Sequence, residues 1–265
     1  MLRDLTAHFE STLSRPGTVV YAVAVAQGLP VESERIEITV DDRPVEPTEL
    51  LEACGTRLHK IEVTGRKVVI DYEARGVGDR GPAPVHEIDL ITYLRPSRYC
   101  ESDSLAPTAL AEFGGLYGAQ LLSAVGNWVH DKLVYVSGAS KPTDGAEQTL
   151  LARQGVCRDY AHLVIALLRA MNVPTRMAAV YAPGLIPMEF HAVAEAYVEG
   201  SWQIVDATRK APRQSLVRMA TGRDAADTAF ITNYDSLLTL GSFWVTAVAR
   251  DGLPNDDHQS PVQLG

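Results

Sequence analysis

Cysteine is scarce in this sequence, which has only Cys54, Cys100 and Cys157 among its 265 residues. An odd number of cysteines excludes a fully paired disulfide framework, and their wide spacing does not match the short motifs of metal sites. Such cysteine usage is typical of a reducing compartment. We therefore expect a cytoplasmic protein that binds no metal through its cysteines.

Basic residues are also too few to balance the acidic ones. The chain has 24 Lys and Arg against 33 Asp and Glu, a formal net charge of −9 at pH 7. A protein with this charge has no general affinity for nucleic acid or for anionic membranes. We expect neither as a partner, while the charge leaves specific partners open.

Long hydrophobic runs are absent, and no stretch is long enough to span a bilayer as a helix. Residues 1–15 contain Asp4 and Glu10 and have no apolar centre, so we expect no signal peptide there. A thin stripe of apolar residues at helical spacing, from Leu2 to Leu13, predicts an N-terminal helix or arm.

Alternating apolar and polar residues dominate the first third of the chain. One example runs from Ile36 to Val40, where every second residue is apolar. Several short strands separated by turn residues are typical of an antiparallel β-sandwich, which we place at about residues 17–95. Helical spacing follows, so we predict an N-terminal β-rich domain at residues 1–100 and a second domain at residues 101–265.

A single cysteine opens the longest apolar run of the second half. Apolar residues from Ala161 to Leu168 recur at helical spacing behind Cys157, and Pro174 ends the predicted helix. Cys157 is therefore predicted in the first helical turn, where unpaired N–H groups and the helix dipole favour an anion such as a thiolate. Considered alone, the same residue is better explained as an inert buried thiol.

Two later residues change that interpretation. His191 opens one predicted strand, and Asp206 ends the next. A two-residue loop at Glu199 and Gly200 would place Asp206 diagonally opposite His191 on one face of the hairpin. A three-residue loop would turn the carboxylate to the other face. A thiol, a base and a carboxylate that orients the base are the groups that thiol catalysis needs.

Several blocks of sequence resemble the bacterial transglutaminase-like superfamily. In order, they are GVCRDYAHL at 155–163, VPTR at 173–176, FHA at 190–192, WQIVDAT at 202–208 and GRDAAD at 222–227. The β-rich first third and the LRPSR segment at 94–98 resemble the N-terminal domain that often precedes this core. The chain departs from the family pattern at Ala207, where proline is common. That change is expected to loosen a turn without removing any reactive group.

This resemblance implies an α+β fold in which a papain-like transglutaminase core is preceded by an antiparallel β-sandwich domain. It also implies a catalytic triad, with Cys157 as the nucleophile, His191 as the base and Asp206 as the orienting carboxylate. The alignment of blocks covers roughly residues 17–248.

Three further residues are predicted near the site. Tyr135, upstream of the cysteine, is a candidate for stabilising an oxyanion. Asp159 and His162 match the family pattern and are candidate supporting residues that bond nearby loops. The chemistry implied by the resemblance requires no cofactor, and the sequence contains no calcium-binding motif.

The implied reaction is acyl transfer from an amide through a thioester intermediate. With water as the acceptor, the protein is a protease or amidase acting on a peptide or amide substrate, which is the function we expect. With an amine, it is a transglutaminase or a biosynthetic enzyme that forms amides or esters. A catalytically idle interaction module with the same fold is a further alternative. Pocket shape and water exclusion decide the acceptor.

Overall fold

The computed structural model describes residues 1–78 and 81–264. Its strands are β1 (Leu2–Leu13), β2 (Gly17–Tyr21), β3 (Val31–Val40), β4 (Arg43–Pro44), β5 (Thr48–Leu51), β6 (Arg57–Val63), β7 (Lys67–Val77), β8 (Val134–Tyr135), β9 (Gln154–Gly155), β10 (Thr175–Tyr181), β11 (Phe190–Val198), β12 (Ser201–Val205), β13 (Val217–Gly222), β14 (Ile231–Tyr234) and β15 (Leu238–Ala249). Its helices are α1 (Glu87–Thr92), α2 (Ser102–Phe113), α3 (Gly118–Lys132), α4 (Ala146–Ala152) and α5 (Cys157–Ala170). Antiparallel sheets and a separate helical segment confirm the α+β fold class. Over the described residues, no helix combines the length and apolarity that a membrane crossing needs.

Two antiparallel sheets form the predicted β-sandwich. One has the strand order β15-β1-β7-β3-β4, and the other has the order β14-β2-β6-β5. Phe9 and Ile70 from the first sheet pack with Tyr21 and Ile61 from the second in one buried core. Side-chain alternation places these residues on the inner faces and leaves polar residues outside.

The expectation of an N-terminal helix or arm is wrong, because these residues form β1. Leu5, Phe9 and Leu13 are each at most 1% exposed, and the residues midway between them, Ala7 and Ser11, are buried as well. A spacing of four residues fits one face of a helix and also one face of a strand. Because Ala7 and Ser11 are small, the large apolar residues recur every four positions and hide the two-residue period of a strand.

The C-terminal strands return to the sandwich. Strand β15 pairs antiparallel with β1 along most of its length, and β14 pairs with β2. The predicted division into residues 1–100 and 101–265 therefore needs correction at its far end, since residues 231–249 complete the N-terminal sheets. Alternation along a strand shows which face is buried but does not identify the partner strand, so this pairing was not predictable locally.

A third antiparallel sheet, in the order β12-β11-β10-β13, supports the second half of the chain. Helix α5 packs against β10 and β11, and α2, α3 and α4 contact its other sides. Residues 163–168 of α5 are therefore completely buried. The predicted helix and its end are confirmed, because α5 stops at Ala170 and Asn172 takes a left-handed φ of 60° ahead of Pro174.

A buried ion network ties three strands of this sheet together. Glu195 on β11 accepts hydrogen bonds from Arg176 on β10 at 2.9 Å and from Arg218 on β13 at 2.6 Å. Burial alone would raise the pKa of Glu195, but the two guanidinium groups lower it to about 2. The Arg176 guanidinium also lies 3.9 Å from the ring centroid of Trp202 on β12. The network therefore joins β10, β11 and β13, and β11 is the strand that also carries His191.

The paired C-terminal strands predict that residues 1–100 do not fold alone. Without residues 231–249, β1 and β2 each lose one neighbouring strand and the sandwich core is opened. Circular dichroism during heating should show no cooperative transition for this fragment. The same fragment joined by a flexible linker to residues 226–250 should regain one. An isolated fragment that melts as cooperatively as the fusion would contradict this pairing.

Candidate active site

Cys157 is the first residue of α5. Val156 before it is extended, with φ −112° and ψ −178°, and its N–H donates to the Asp159 carboxylate at 2.8 Å. This bond fixes the chain at the point where it turns into the helix. The cysteine is partly exposed, whereas most of the helix behind it is buried. Its exposure does not fit the alternative of an inert buried thiol.

The β11–β12 hairpin has the predicted two-residue loop. Glu199 and Gly200 take left-handed φ values of 51° and 82°, as a tight turn between twisted strands requires. The strands on either side pair in the predicted register. The hairpin thereby brings Asp206 beside His191, and the His191 Nε2 lies 2.8 Å from the Asp206 Oδ2.

The Cys157 thiol and the His191 ring line the same cavity, and the thiol is close enough to contribute to the pKa of the ring. Burial alone would lower the pKa of His191, but the charge and hydrogen bond of Asp206, helped by Cys157, raise it to about 10. Burial acts in the opposite direction on Asp206, yet His191 and Thr208 hold the pKa of its carboxyl below the usual range. Both directions favour an imidazolium–carboxylate pair at neutral pH.

Thr208 is a site residue to which the sequence reasoning gave no role. Its backbone N–H and its hydroxyl donate to the Asp206 Oδ1 at 2.9 and 2.7 Å. A carboxylate that accepts the N–H two residues further on is a common turn arrangement, so the Asp-x-Thr spacing was the available signal. The turn is also held at Ala207, whose carbonyl accepts from the His130 Nδ1 at 2.8 Å.

Tyr135 lies beside the cysteine, because β8 pairs in parallel with β9 just ahead of α5. Its hydroxyl lies near the backbone N–H of Cys157. Burial, followed by the charge of Cys157, raises the pKa of Tyr135 to about 12. The phenol is therefore neutral and retains a proton that it can donate. The Lys210 Nζ lies 4.3 Å from the centroid of the Tyr135 ring.

Asp159 and His162 bond the surroundings of the cysteine. Asp159 accepts from the Val156 N–H, as described above. His162 Nε2 accepts from the Ala225 N–H at 3.2 Å, and its ring stacks on Tyr99 with centroids 5.2 Å apart. Burial lowers the pKa of His162 to about 3, so the imidazole stays neutral and can accept this bond. The histidine thus anchors the GRDAAD segment at 222–227 against α5.

The other two cysteines have different surroundings. Cys100 is completely buried, and burial raises the pKa of its thiol. Cys54 is partly exposed and lies 3.2 Å from the Thr56 hydroxyl. In the part of the chain that the structure describes, no three His, Cys, Asp or Glu side chains converge as they would around a metal ion.

A cavity of about 250 Å³ opens next to Cys157 and His191. Its walls come from β10, β11 and β13 and from the segment at 225–231, and they are mainly apolar. The site thus combines a partly exposed thiol, a buried imidazolium–carboxylate pair and an apolar recess. This arrangement can hold a carbonyl compound at the thiol while the imidazolium supplies a proton.

Replacing Asp206 by asparagine should lower the pKa of His191, because the carboxylate charge that offsets burial is lost. A raised pKa keeps the imidazolium present below that value and loses it as the pH rises through it. Loss of the His191 proton should therefore move to lower pH in Asp206→Asn, as followed by NMR of the labelled ring. Asp257→Asn, at an exposed carboxylate, is the matched control and should titrate like the native protein. An unchanged His191 midpoint in Asp206→Asn would contradict the pairing.

Comparison with known proteins relates this chain to one family. The family model of the transglutaminase-like superfamily matches residues 114–207. A protein of Cytophaga hutchinsonii, described as a candidate cysteine protease, has a solved structure that is 31% identical with a TM-score of 0.87, and the match covers 98% of this chain and 95% of that chain.

Two uncharacterized mycobacterial proteins match over shorter regions. One from Mycobacterium leprae is 26% identical over 114 residues, which are 40% of this chain and 41% of that protein. One from Mycobacterium tuberculosis is 36% identical over 67 residues, which are 25% of this chain and 20% of that protein. This chain therefore matches less than half the length of these curated relatives. The family match and the nearly full-length structural relative together show that this chain belongs to the transglutaminase-like superfamily.

Proposed function

We propose that this chain is a cysteine-dependent enzyme that takes acyl groups from amide bonds as thioesters and passes them mainly to water. The observation that carries the proposal is the arrangement of three side chains. Cys157 at the start of α5 lines the same cavity as His191, whose Nε2 lies 2.8 Å from the Asp206 carboxylate. Nucleophile, acid–base group and orienting carboxylate are thereby adjacent.

The first half-reaction forms the thioester. The Cys157 thiolate attacks the carbonyl carbon of the amide, a C–S bond forms and the carbonyl electrons move onto oxygen. The His191 imidazolium then gives its proton to the amide nitrogen as the oxyanion collapses. The C–N bond breaks, the amine leaves, and His191 becomes neutral.

The second half-reaction releases the acyl group. Neutral His191 takes a proton from water while the water oxygen attacks the thioester carbon. The tetrahedral oxyanion collapses, the C–S bond breaks and a carboxylic acid leaves. The thiolate and the imidazolium are then restored as they were at the start, with Asp206 holding the ring in one orientation throughout.

The oxyanion in both steps needs donors close to Cys157. Its backbone N–H lies at the helix start, near the Tyr135 hydroxyl. The neutral phenol has its own proton to give, so the N–H and the phenol can both donate to a developing oxyanion. We assign Tyr135 this role, beside the backbone N–H of Cys157.

Hydrolysis is favoured over amine transfer by two observations. The partly exposed thiol gives water access to a thioester formed there. The similarity to the Cytophaga candidate cysteine protease also extends over 98% of this chain. Transfer to an amine is the alternative, and adding a primary amine to the assay distinguishes the two by its product. A catalytically idle module is disfavoured by the complete set of reactive side chains.

The proposal includes a cytoplasmic setting and a peptide or amide as the substrate. Three unpaired cysteines support a reducing compartment. The net charge of −9 supports neither nucleic acid nor a membrane surface as a partner.

Replacing Cys157 by alanine should abolish turnover and leave the fold intact, because the partly exposed side chain contributes little to the core. The measurement is release of amine from peptide amides, with the melting temperature as the check on folding. Cys54→Ala is the matched control at another partly exposed cysteine and should keep full activity. Native-like hydrolysis by Cys157→Ala would overturn the thiol mechanism.

A further inference from the structure

The cavity beside the cysteine has a wall of uncharged side chains. It includes Met177 and Ala179 of β10, Ala192 of β11, and Phe230 and Ile231 from the segment that follows β13. Among the described lining residues there is no Asp, Glu or Lys. Apart from Cys157 and His191, the one ionisable residue lining it in this part of the chain is Arg158.

Arg158 is held by the protein through one nitrogen of its guanidinium. Its Nη2 donates to the Lys141 carbonyl at 2.7 Å and to the Ser140 hydroxyl, and lies 3.3 Å from the Asp159 carboxylate, whereas its buried Nε has no partner among the described residues. A positively charged ligand side chain would meet this cation with no acidic residue to pair with it. A carboxylate would have to give up its hydration in the apolar part of the cavity.

The cavity offers no ready partner for a carboxamide either. Thr228 is the uncharged polar side chain among the described lining residues, and it is 6% exposed. Its hydroxyl lies 3.3 Å from the Asp224 carbonyl and 3.3 Å from the Met177 sulfur. Because that hydroxyl proton is already used, Thr228 offers no donor to the carbonyl of a glutamine side chain, a cost that an apolar side chain avoids.

The size of the cavity is suited to a whole side chain. Its volume is about 250 Å³, and a cavity of about 150 Å³ with apolar walls is enough to hold benzene. A branched aliphatic group or a phenyl ring therefore fits, with space left for the chain that joins it to the carbonyl at Cys157.

Part of the wall is fixed by the β-sandwich. Phe230 stacks on the fully buried Phe9 of β1 with centroids 5.3 Å apart, and Phe190 lies 5.4 Å from Phe230. Ile231 begins β14, where it pairs with Tyr21 of β2. The sandwich therefore contributes to the shape of the cavity at the reactive thiol, in addition to its own core.

We propose, building on the function proposed above, that this cavity binds the side chain of the acyl part of the substrate and selects apolar residues of the size of leucine or phenylalanine. The scissile amide then lies between this bound residue and the leaving amine, with its carbonyl carbon at Cys157. Glutamine, acidic and basic residues at the same position are poor substrates.

The test uses N-acetyl amino acid chloromethyl ketones, which alkylate the thiol while their side chain occupies the acyl side. Reagents with Leu, Phe, Ala, Gln, Glu and Lys side chains are compared by the rate of Cys157 alkylation, followed by mass spectrometry. Coumarin amides of the same six residues measure turnover in parallel. We expect Leu or Phe to exceed each of the other four by at least about tenfold, the lower end for hydrophobic-pocket discrimination.

Ala179→Leu fills the cavity, whereas Ala226→Leu makes the same change at an exposed site outside it. The filled variant should slow the Leu and Phe reagents at least about tenfold more than the Ala reagent. Phe230→Ala is a second variant and should shift preference toward larger side chains. Ala226→Leu should keep the native order of rates.

The outcomes separate this inference from the proposed function. Cys157-dependent turnover without apolar preference, or with Gln, Glu or Lys preferred, overturns the inference and leaves the function standing. Selective alkylation with no turnover of any amide overturns the function but supports the apolar specificity of the cavity. Equal slowing of all reagents by Ala179→Leu also counts against the inference.

Discussion

The buried pair of His191 and Asp206 is the interaction that constrains the rest of this site. Removing two charged groups from water is expensive, and their attraction offsets the cost only with good geometry and further hydrogen bonds. Thr208 supplies two of those bonds to Asp206. The two-residue turn of the hairpin fixes the register that brings the pair together. The Glu195 network holds the same sheet against neighbouring strands, so the pair rests on a rigid support.

The β-sandwich is continuous with the part of the chain that carries Cys157, His191 and Asp206, here called the catalytic half. Tyr181 of β10 donates its hydroxyl to the Val23 carbonyl at 2.9 Å, and its ring packs in the sandwich core. Strands β14 and β15 return from the catalytic half to complete the sandwich sheets. Because these connections run in both directions, the cavity at Cys157 is lined by residues that the sandwich positions. If the cavity binds the acyl side chain as proposed, the β-rich half contributes to substrate selection as well as to stability.

Local patterns in the sequence predicted most of the catalytic half. Helical spacing followed by proline located α5. The register of the hairpin was predicted because only a two-residue loop at Glu199 and Gly200 brings Asp206 to the face of His191. Thr208 was overlooked because the bond it makes depends on the turn after Asp206. The strand nature of β1 was hidden by the four-residue spacing of its large apolar residues, which suits helix and strand alike. The pairing of β15 with β1 joins the two ends of the chain, and no local pattern records it.

The central claim is that the acyl group of the substrate passes through a thioester on Cys157. The most direct measurement is the mass of the protein quenched during turnover of a slowly hydrolysed p-nitrophenyl ester, followed by peptide mapping. The account predicts one added acyl group, carried by the peptide that contains Cys157 and removed by hydroxylamine. Turnover with no adduct at that cysteine, or with the acyl group on another residue, would contradict it.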